Sequence, residues 1–393
     1  MPEISHSDSS LPPGFAVKEG STGNRSVAGS QTSVAAFLIA SKEGSVTSVS
    51  TRQEFEAAFA PASAERDSGK TKISTSAWSA ICGWFENGGG QAYIVPTTAG
   101  GEAADSSARD EASNLAALKS VEAQIVIAPD LWSTPATAPA RAAEIAAHCA
   151  QMGDRIAVLH LERDTDPVVD AVKALGIASD DLRFATVYHP WINVSDPADP
   201  TQTVQVPPTG HVAGMWARVD ASRGVHKAPA NESLRGVVSL AKEASEAEQG
   251  EWSDVGVNSL RTVQTAGVHV WGARTLAASD TSDGEHAYLN VRRTVNFIKE
   301  SIRQSTEWVV FEPNDDALRT SVQGTVSSFL TDQWRRGALV GATPDQAFYV
   351  RCDGTNNPPE DIAAGRLTVE VGAAIVRPSE FITLHITQII NQG

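Results

Sequence analysis

The residues from Asn114 to Tyr188 alternate between short apolar runs and helix-forming runs, and this alternation constrains the fold more than any other feature. Strands are predicted at Ala123–Ala128, Arg155–His160 and Phe184–Tyr188, with helices at Ala138–Met152 and Pro167–Leu175 between them. Strands separated by helices of this length are parallel, because a parallel pair needs a crossover connection. We therefore expect an α/β middle domain in which helices cover a parallel sheet.

The residues before this region continue the mixed pattern. They predict a strand at Ser33–Ala40, a helix at Thr51–Phe59, a helix at Ser76–Glu86 and a strand at Ala92–Val95. Thr51 and Glu54 have the spacing of a capping box. The glycines at 88–90 follow a helix and open a strand, whereas a phosphate loop follows a strand and opens a helix, so no nucleotide site is predicted there.

Polar side chains lie where an α/β enzyme places its site, at the carboxyl ends of the predicted strands. These are Asp130, His160, His189 and Trp191. Acyl transfer also needs an activated nucleophile, and the sequence has no Gly-x-Ser-x-Gly elbow and no His-Glu-x-x-His helix. Asp130 is more simply a cap of the next turn, and His189-Pro190 a strand terminator. We expect no catalytic, cofactor-binding or metal site.

The second half of the chain reads as loops, helices and strands of a different arrangement. Helices are predicted around His211–Val219, at Glu232–Ala247, at Tyr288–Ile302 and from Asp315 to Arg336, where Asn314 or Asp315 is the cap. Strands are predicted at Val268–Ala273, Thr306–Phe311, Ala347–Cys352, Gly365–Val376 and Glu380–Gln388. This order predicts an α+β C-terminal domain.

A set of short motifs carries a resemblance over nearly the whole chain. They are Pro208–Arg218, Val225–Asn231, Trp271–Leu276, Asn290–Arg293, Trp308–Asp315, Phe329-Leu330 with Trp334, Gly337–Gly341, Cys352-Asp353 with Thr355-Asn356, and Arg377–Phe381. In order and spacing they resemble the contractile tail sheath proteins of phages and phage-tail-like injection particles. Arg319 departs from the pattern, because the family often carries an aromatic residue there.

The resemblance implies an architecture of four parts. These are an N-terminal linker arm at 1–20, an N-terminal part of the core at 21–100, an α/β middle domain of subtilisin-like topology at 101–265, and a C-terminal sheath domain at 266–393. The fold class is therefore α/β with a parallel-sheet middle domain, an α+β C-terminal domain, and extended arms at both ends.

Charge and composition agree with a self-assembling protein better than with a nucleic-acid-binding one. The formal net charge of the 393 residues is −16, and a polyphosphate partner requires a concentrated basic surface. Cys82, Cys149 and Cys352 are far apart, which favours buried apolar fillers over a metal site. The sequence has no apolar run of membrane-spanning length and no secretion signal at its start. We expect assembly in the cytoplasm without membrane insertion.

The function that the resemblance implies is structural. Such a subunit polymerises helically around an inner tube and contracts to drive that tube into a target, with the inner tube protein, baseplate proteins and tail-terminator or cap proteins as partners. The alternative is a stand-alone α/β hydrolase-like or binding protein with disordered tails. The sequence leaves open whether the particle is a phage or an injection system.

Two sets of residues are candidate assembly sites. Apolar and polar residues alternate near both termini, so Phe15, Val17, Phe381, Ile382, Leu384 and Ile386 are predicted to pair as strands with neighbouring subunits. Arg335 and Arg336 end a helix and are predicted to contact carboxylates of the inner tube. For these arginines, complementing the helix dipole or pairing with a neighbouring subunit remains the alternative. The cations Arg292, Arg293, Lys299 and Arg303 are read as a solvated helix face.

Overall fold

A computed structural model describes residues 26–41, 45–63, 69–97, 115–279 and 286–380. Its strands are β1 Ala35–Ala40, β2 Thr47–Val49, β3 Phe59–Pro61, β4 Thr71–Ile73, β5 Ala92–Thr97, β6 Ile125–Ile127, β7 Ile156–His160, β8 Ala185–His189, β9 Ile192–Ser195, β10 Thr203–Val206, β11 Glu232–Ser233, β12 Val237–Leu240, β13 Val257–Val263, β14 Gly267–Trp271, β15 Phe348–Arg351 and β16 Glu370–Ala373. Its helices are α1 Arg52–Ala58, α2 Thr75–Glu86, α3 Ala138–Met152, α4 Val168–Ala174, α5 Thr209–Arg223, α6 Glu246–Asp254, α7 Leu289–Ser305, α8 Asp316–Arg335, α9 Pro344–Ala347 and α10 Pro359–Ala363.

The central element is a nine-stranded sheet with the order β11-β14-β13-β8-β7-β6-β1-β5-β2. The six strands from β13 to β5 are parallel, and β2, β14 and β11 add antiparallel edges. β6, β7 and β8 are buried along their whole length, which is the pattern of strands covered by helices on both faces. The predicted parallel sheet is confirmed, and it takes strands from residues 35–97 as well as from the middle of the chain.

Helices α2 and α5 pack closely because glycine leaves room for the opposing backbone. A Cβ atom on Gly210 would lie 2.1 Å from the carbonyl oxygen of Ala80, and one on Gly214 would lie 2.3 Å from that of Trp84. The helix predicted around His211–Val219 is therefore confirmed, and its small residues determine how closely the two helices approach. We call the nine-stranded sheet with its helices, residues 33–279, the α/β body.

The helix predicted at Glu232–Ala247 is wrong. The chain forms β11, which pairs with β14, and then β12, which pairs with β9 in a small sheet of the order β10-β9-β12. Gly236 between them has a φ of +76°, which a helix interior does not allow. The helix begins only at Ser245, whose hydroxyl and Glu248 form a capping box at the start of α6.

A second, smaller unit follows, which we call the C-terminal body, residues 286–380. It holds α7, α8 and the two-stranded ribbon β15–β16 around a separate core that includes Ile298, Val322 and Leu330. Of the two predicted caps, Asn314 and Asp315, it is Asp315 that caps α8, because its side chain accepts a hydrogen bond from the backbone N–H of Leu318 at 2.8 Å.

Two strands predicted in this body differ in the structure. The segment Thr306–Phe311 is a 3-10 turn over Glu307–Val309 followed by exposed residues, because its backbone bonds locally rather than to another strand. The strand predicted over Gly365–Val376 is shorter in the structure. Only β16 forms, which is the part that pairs with β15. The strand predicted at Glu380–Gln388 lies almost entirely outside the described residues, and the N-terminal strand predicted around Phe15 and Val17, at Gly14–Glu19, lies wholly outside them.

The three cysteines are buried, as expected of apolar fillers. Burial raises the pKa of the Cys82 thiol to about 12 and raises that of Cys149 further, so both are protonated at neutral pH. None of the helices in the described part of the chain is both long and apolar enough to cross a bilayer.

Candidate assembly surfaces

Arg335 and Arg336 form the last turn of α8 and project into solvent. Gly337 ends the helix with a φ of +80°, and its N–H donates to the carbonyl of Trp334 at 2.9 Å. Arg335 is 68% exposed and makes a loose ion pair with Asp332 at 3.4 Å. An exposed pair of this length contributes little to stability. Two guanidinium groups are therefore available at this end of the helix.

The ribbon β15–β16 offers edges to which another strand can add. It has two strands within the described residues, so each strand has one side without a strand partner there. The six residues predicted to exchange strands, Phe15, Val17, Phe381, Ile382, Leu384 and Ile386, lie outside the part of the chain that the structure describes. Their pairing stays a prediction.

The position from which the C-terminal segment leaves is held by an ion pair. Glu380, the last described residue, contacts Arg274 through both carboxylate oxygens at distances of 2.5 to 3.2 Å. The two side chains are 16% and 20% exposed. The hydrogen bond to Glu380 raises the pKa of Arg274. Because Arg274 follows β14, this contact ties the end of the C-terminal body to the α/β body.

The N-terminal segment also leaves beside the C-terminal body. The N–H of Ala28 donates to the hydroxyl of Ser305 at 3.2 Å, and that of Ser30 donates to Ser301 at 2.9 Å. Val27 packs against the second core. Residues 26–33 thus run along α7 before the chain enters β1. The N-terminal end of the described chain is therefore anchored to this helix.

A buried ion pair joins the two bodies. Arg293 on α7 contacts Asp220 on α5 at 2.5 and 3.0 Å, and the side chains are only 4% and 3% exposed. The guanidinium also donates to the carbonyl of Thr32 and lies 4.7 Å from the ring of Trp216. The pair is therefore buried, and both of its terminal guanidinium nitrogens and both of its carboxylate oxygens take part in hydrogen bonds.

This pair corrects the prediction of a solvated cationic face on α7. Arg292 is 7% exposed and lies over the ring of Phe184, with its Nε donating to Asn296 at 2.9 Å. Arg303, by contrast, is exposed and bonds to Glu300, as expected of a surface cation. Arg292 and Arg293 lie in the first half of α7, where the helix dipole does not favour cations. Their position in the sequence could therefore have indicated that they bind partners outside the helix.

Arg319, where the family pattern often has an aromatic residue, lies 7% exposed at the start of α8. It donates to the side chain of Asn314 at 2.8 Å and to Asp316 at 2.6 Å. The guanidinium thus takes part in the cap region of the helix.

The polar side chains at the carboxyl ends of the strands make hydrogen bonds and ring contacts inside the α/β body. Asp130 is the N-cap residue of the 3-10 turn Leu131–Ser133, as predicted, and its carbonyl accepts from the N–H of Ser133 at 2.9 Å. Its side chain does not bond to that turn and instead accepts hydrogen bonds from the N–H of Ala40 at 3.0 Å and from the hydroxyl of Ser74. Burial raises the pKa of this carboxyl. Its hydrogen bonds connect the ends of β1, β6 and α2.

His160 and His189 are buried against aromatic rings. His160 lies 5.6 Å from Trp191 and His189 lies 4.9 Å from Trp252, both edge to face. Burial lowers the pKa of His160 to about 3 and that of His189 to about 4, so both imidazoles are neutral at pH 7. In the residues that the structure covers, no group of three His, Cys, Asp or Glu side chains is placed to hold a metal ion.

Comparison with family models places this chain among sheath proteins along most of its length. Residues 102–276 match the phage tail sheath protein central domain, and residues 281–389 match the phage tail sheath C-terminal domain. The tail sheath protein of Burkholderia phage BcepMu is 30% identical over 212 residues, which are 52% of this chain and 42% of that protein. The match to this chain therefore spans less than half the length of that curated relative.

Solved structures extend the similarity to nearly the full chain. The helical sheath of the anti-feeding prophage in its contracted state is 27% identical, with a TM-score of 0.75, covering 96% of this chain and 99% of that one. The sheath of the extracellular contractile injection system PVC, also contracted, has the same fold at 24% identity, with a TM-score of 0.74 and coverage of 98% and 100%.

Proposed function

The chain belongs to the contractile tail sheath family, and from that premise we propose that it is a structural subunit that polymerises helically around an inner tube. Contraction of the polymer drives the tube into a target. The observation that carries this proposal is the similarity over nearly the whole of both chains to a sheath solved as a helical assembly. The particle is a phage tail or a phage-tail-like injection machine.

The proposed role involves no enzymatic reaction. The partners are further copies of the chain, the inner tube protein, the baseplate, and a terminator or cap protein, with no nucleic acid among them. A stand-alone hydrolase or binding protein is not supported, since the relatives by sequence and by structure are sheath proteins.

The mechanics require that neighbouring subunits stay attached while their compact bodies move. Strands added to the sheet of a neighbour suit this, because main-chain hydrogen bonds between strands persist through rigid-body rotation. The described chain begins along α7 of the C-terminal body and ends at Glu380, which contacts Arg274 of the α/β body. Contacts of this kind do not close on themselves, so they generate a helix rather than a closed ring of two.

Imaging of tubes tests the proposal as a whole. The wild-type chain is produced together with the inner tube and baseplate proteins of its gene neighbourhood, and the particles are examined by negative-stain electron microscopy. We expect tubes of uniform width in a long and a shortened form. A chain that remains monomeric in size-exclusion chromatography at every concentration, with no tubes in the presence of these partners, would refute it.

Removal of the N-terminal arm tests strand exchange. Deleting Met1–Gly20 removes Phe15 and Val17, and we expect a folded subunit that forms no tubes. The matched control deletes only Met1–Ser10 and keeps the segment Gly14–Glu19, so it is expected to assemble. Normal tubes from the longer deletion would contradict strand exchange by the arm.

Charge reversal at the end of α8 tests the tube contact. Arg335→Glu with Arg336→Glu should leave the subunit folded but produce sheaths that do not polymerise on tubes or that contract early. In the wild type, added salt should weaken the same contact, because it screens charge pairs in a wet interface. Arg163→Glu is the control, because Arg163 is 54% exposed on the α/β body and also has only an exposed partner. Extended, tube-filled particles from the double variant at wild-type yield would rule this contact out.

A further inference from the structure

A turn between α7 and α8 exposes two apolar side chains completely or nearly so. Phe311 is 102% exposed and its neighbour Val310 is 63% exposed. In the described part of the chain, Phe311 is the most exposed of the large hydrophobic residues. A phenyl ring in water is unfavourable, since its burial contributes more than that of most side chains.

The backbone of this turn is held in place, and it is strained. Phe311 has a φ of +71°, a region that only Asn231 shares among the described residues other than glycine. The turn is closed by the N–H of Glu312, which donates to the carbonyl of Val309 at 3.1 Å. Asn314 fixes its far side by donating to the carbonyl of Arg366 at 2.8 Å. The ring is thus presented outward by a defined conformation, and such strain is characteristic of functional sites.

Four acidic residues lie within five positions of Phe311 along the chain. Glu307 is 67% exposed and pairs with Arg303, Asp316 is 97% exposed and pairs with Arg319, and Glu312 and Asp315 are exposed between them. Under the proposed function the inner tube offers carboxylates to Arg335 and Arg336. A surface that attracts those arginines repels this turn, so charge disfavours the tube as its partner.

The length of α8 leads to the same conclusion. The turn precedes the first residue of the helix, Asp316, whereas the arginine pair stands at its last turn. Twenty residues of α-helix extend about 30 Å. When the last turn of the helix touches the tube, the Val310–Phe311 turn at its other end is held about 30 Å from that contact.

We propose that the Val310–Phe311 turn is a contact with a second copy of this chain, in which the Phe311 ring is buried against a surface of the neighbour. The inference rests on the proposed function, because it requires a polymer in which copies are adjacent. The contact is heterologous: the turn of one subunit meets a different surface of the next, which is the type of contact that continues as a helix.

Substitution of the ring tests the energetic part of the proposal. Phe311→Ser should leave the thermal unfolding of the monomer unchanged or slightly improved, and should reduce the yield of tubes about tenfold or more. Val238→Ser is the matched control, since Val238 is 60% exposed on β12 of the α/β body, and its assembly should equal that of the wild type. Wild-type yield from Phe311→Ser would overturn the inference.

A photo-crosslinking residue identifies the partner. Benzoyl-phenylalanine at position 311 is irradiated in assembled particles, with the same residue at position 238 as the control. A product of twice the sheath mass, formed at 311 and weak at 238, is expected. A product of sheath plus tube mass, or no product from assembled particles, overturns the inference. Because the experiment starts from particles that have formed, its failure is distinct from a failure of the proposed function, in which no particles form.

Discussion

The α/β body and the C-terminal body differ in how completely they bury their apolar side chains. Within the described residues, 61 buried hydrophobic side chains of the α/β body form one core together with Leu289 of α7, whereas eight form the separate core of the C-terminal body. In the described part of the chain, six large hydrophobic residues are exposed, and four of them, Val310, Phe311, Val340 and Tyr349, belong to the smaller body. For its size, the smaller body therefore leaves more large apolar side chains exposed than the larger one.

The strands of the two bodies also differ in how many neighbouring strands they have. β6, β7 and β8 are flanked on both sides and buried, whereas β15 and β16 are half exposed and have only each other in the described part of the chain. If the larger body holds its fold while the smaller body makes the contacts with other subunits, subunits can move relative to one another without unfolding. The following four predictions test this division, from the largest expected effect to the smallest.

Acid should destabilise the α/β body selectively. Burial lowers the pKa of His160 to about 3 and those of His189 and His211 to about 4. These groups take up protons in the unfolded chain below pH 6.5 but not in the folded one, so the stability that they contribute is complete above pH 6.5 and is lost as the pH falls towards 4. At pH 5 the loss is about 2 kcal/mol for each histidine.

The measurement is urea unfolding between pH 7 and pH 5, with hydrogen exchange to assign the opening to a body. His211→Gln should flatten the pH dependence, while His269→Gln on β14 serves as the control. Earlier opening of the C-terminal body than of the α/β body in acid would contradict this division.

Breaking the buried ion pair should weaken the connection between the bodies. Asp220→Ala leaves the Arg293 guanidinium buried without its carboxylate, which costs about 3 to 5 kcal/mol of unfolding free energy. Arg303→Ala on the same helix removes only an exposed pair and should cost less than about 1 kcal/mol. Chemical unfolding followed by tryptophan fluorescence measures both. Equal losses in the two variants would show that burial of the pair does not matter.

Equivalent cavities should have unequal consequences in the two bodies. Leu330 and Leu159 are both buried, in the small and the large core respectively, and replacing either by alanine costs about 3 kcal/mol. Leu330→Ala should open the C-terminal body alone, because its core has few other contacts, whereas Leu159→Ala should lower the stability of the whole α/β body. Hydrogen exchange measured peptide by peptide distinguishes these two patterns. If the same peptides exchanged faster in both variants, the two bodies would not unfold separately and the prediction would be wrong.

Helix caps should give the smallest effects, similar in the two bodies. Asp315 caps α8 and Thr51 caps α1, each by accepting a hydrogen bond from the third residue of the turn. Asp315→Ala and Thr51→Ala should each cost about 1 kcal/mol. Thermal unfolding of the two variants gives the values. A loss of several kcal/mol at Asp315 would mean that this residue supports more than the start of its helix.

The sequence was sufficient where a single segment carries its own signal. The fully apolar runs of β6, β7 and β8 and the helices between them predicted a parallel sheet, because only that arrangement covers both faces of such strands. The cap Thr51 was also predicted, and the cap of α8 was narrowed to Asn314 or Asp315, since a cap bonds to residues three positions away. The motifs that pointed to the sheath family likewise lie within continuous stretches.

Features that depend on a distant partner required the tertiary structure. Residues 232–247 have a helix-like composition, yet β11 and β12 form because β14 and β9 offer main-chain partners. The apolar residues of Thr306–Phe311 suggested a buried strand, and the turn instead presents Phe311 to solvent. Arg293 reads as a surface cation in any local window, and only its contact with Asp220, 73 positions away, places it inside the molecule. Local patterns specify local hydrogen bonding, whereas burial is decided by which surfaces meet.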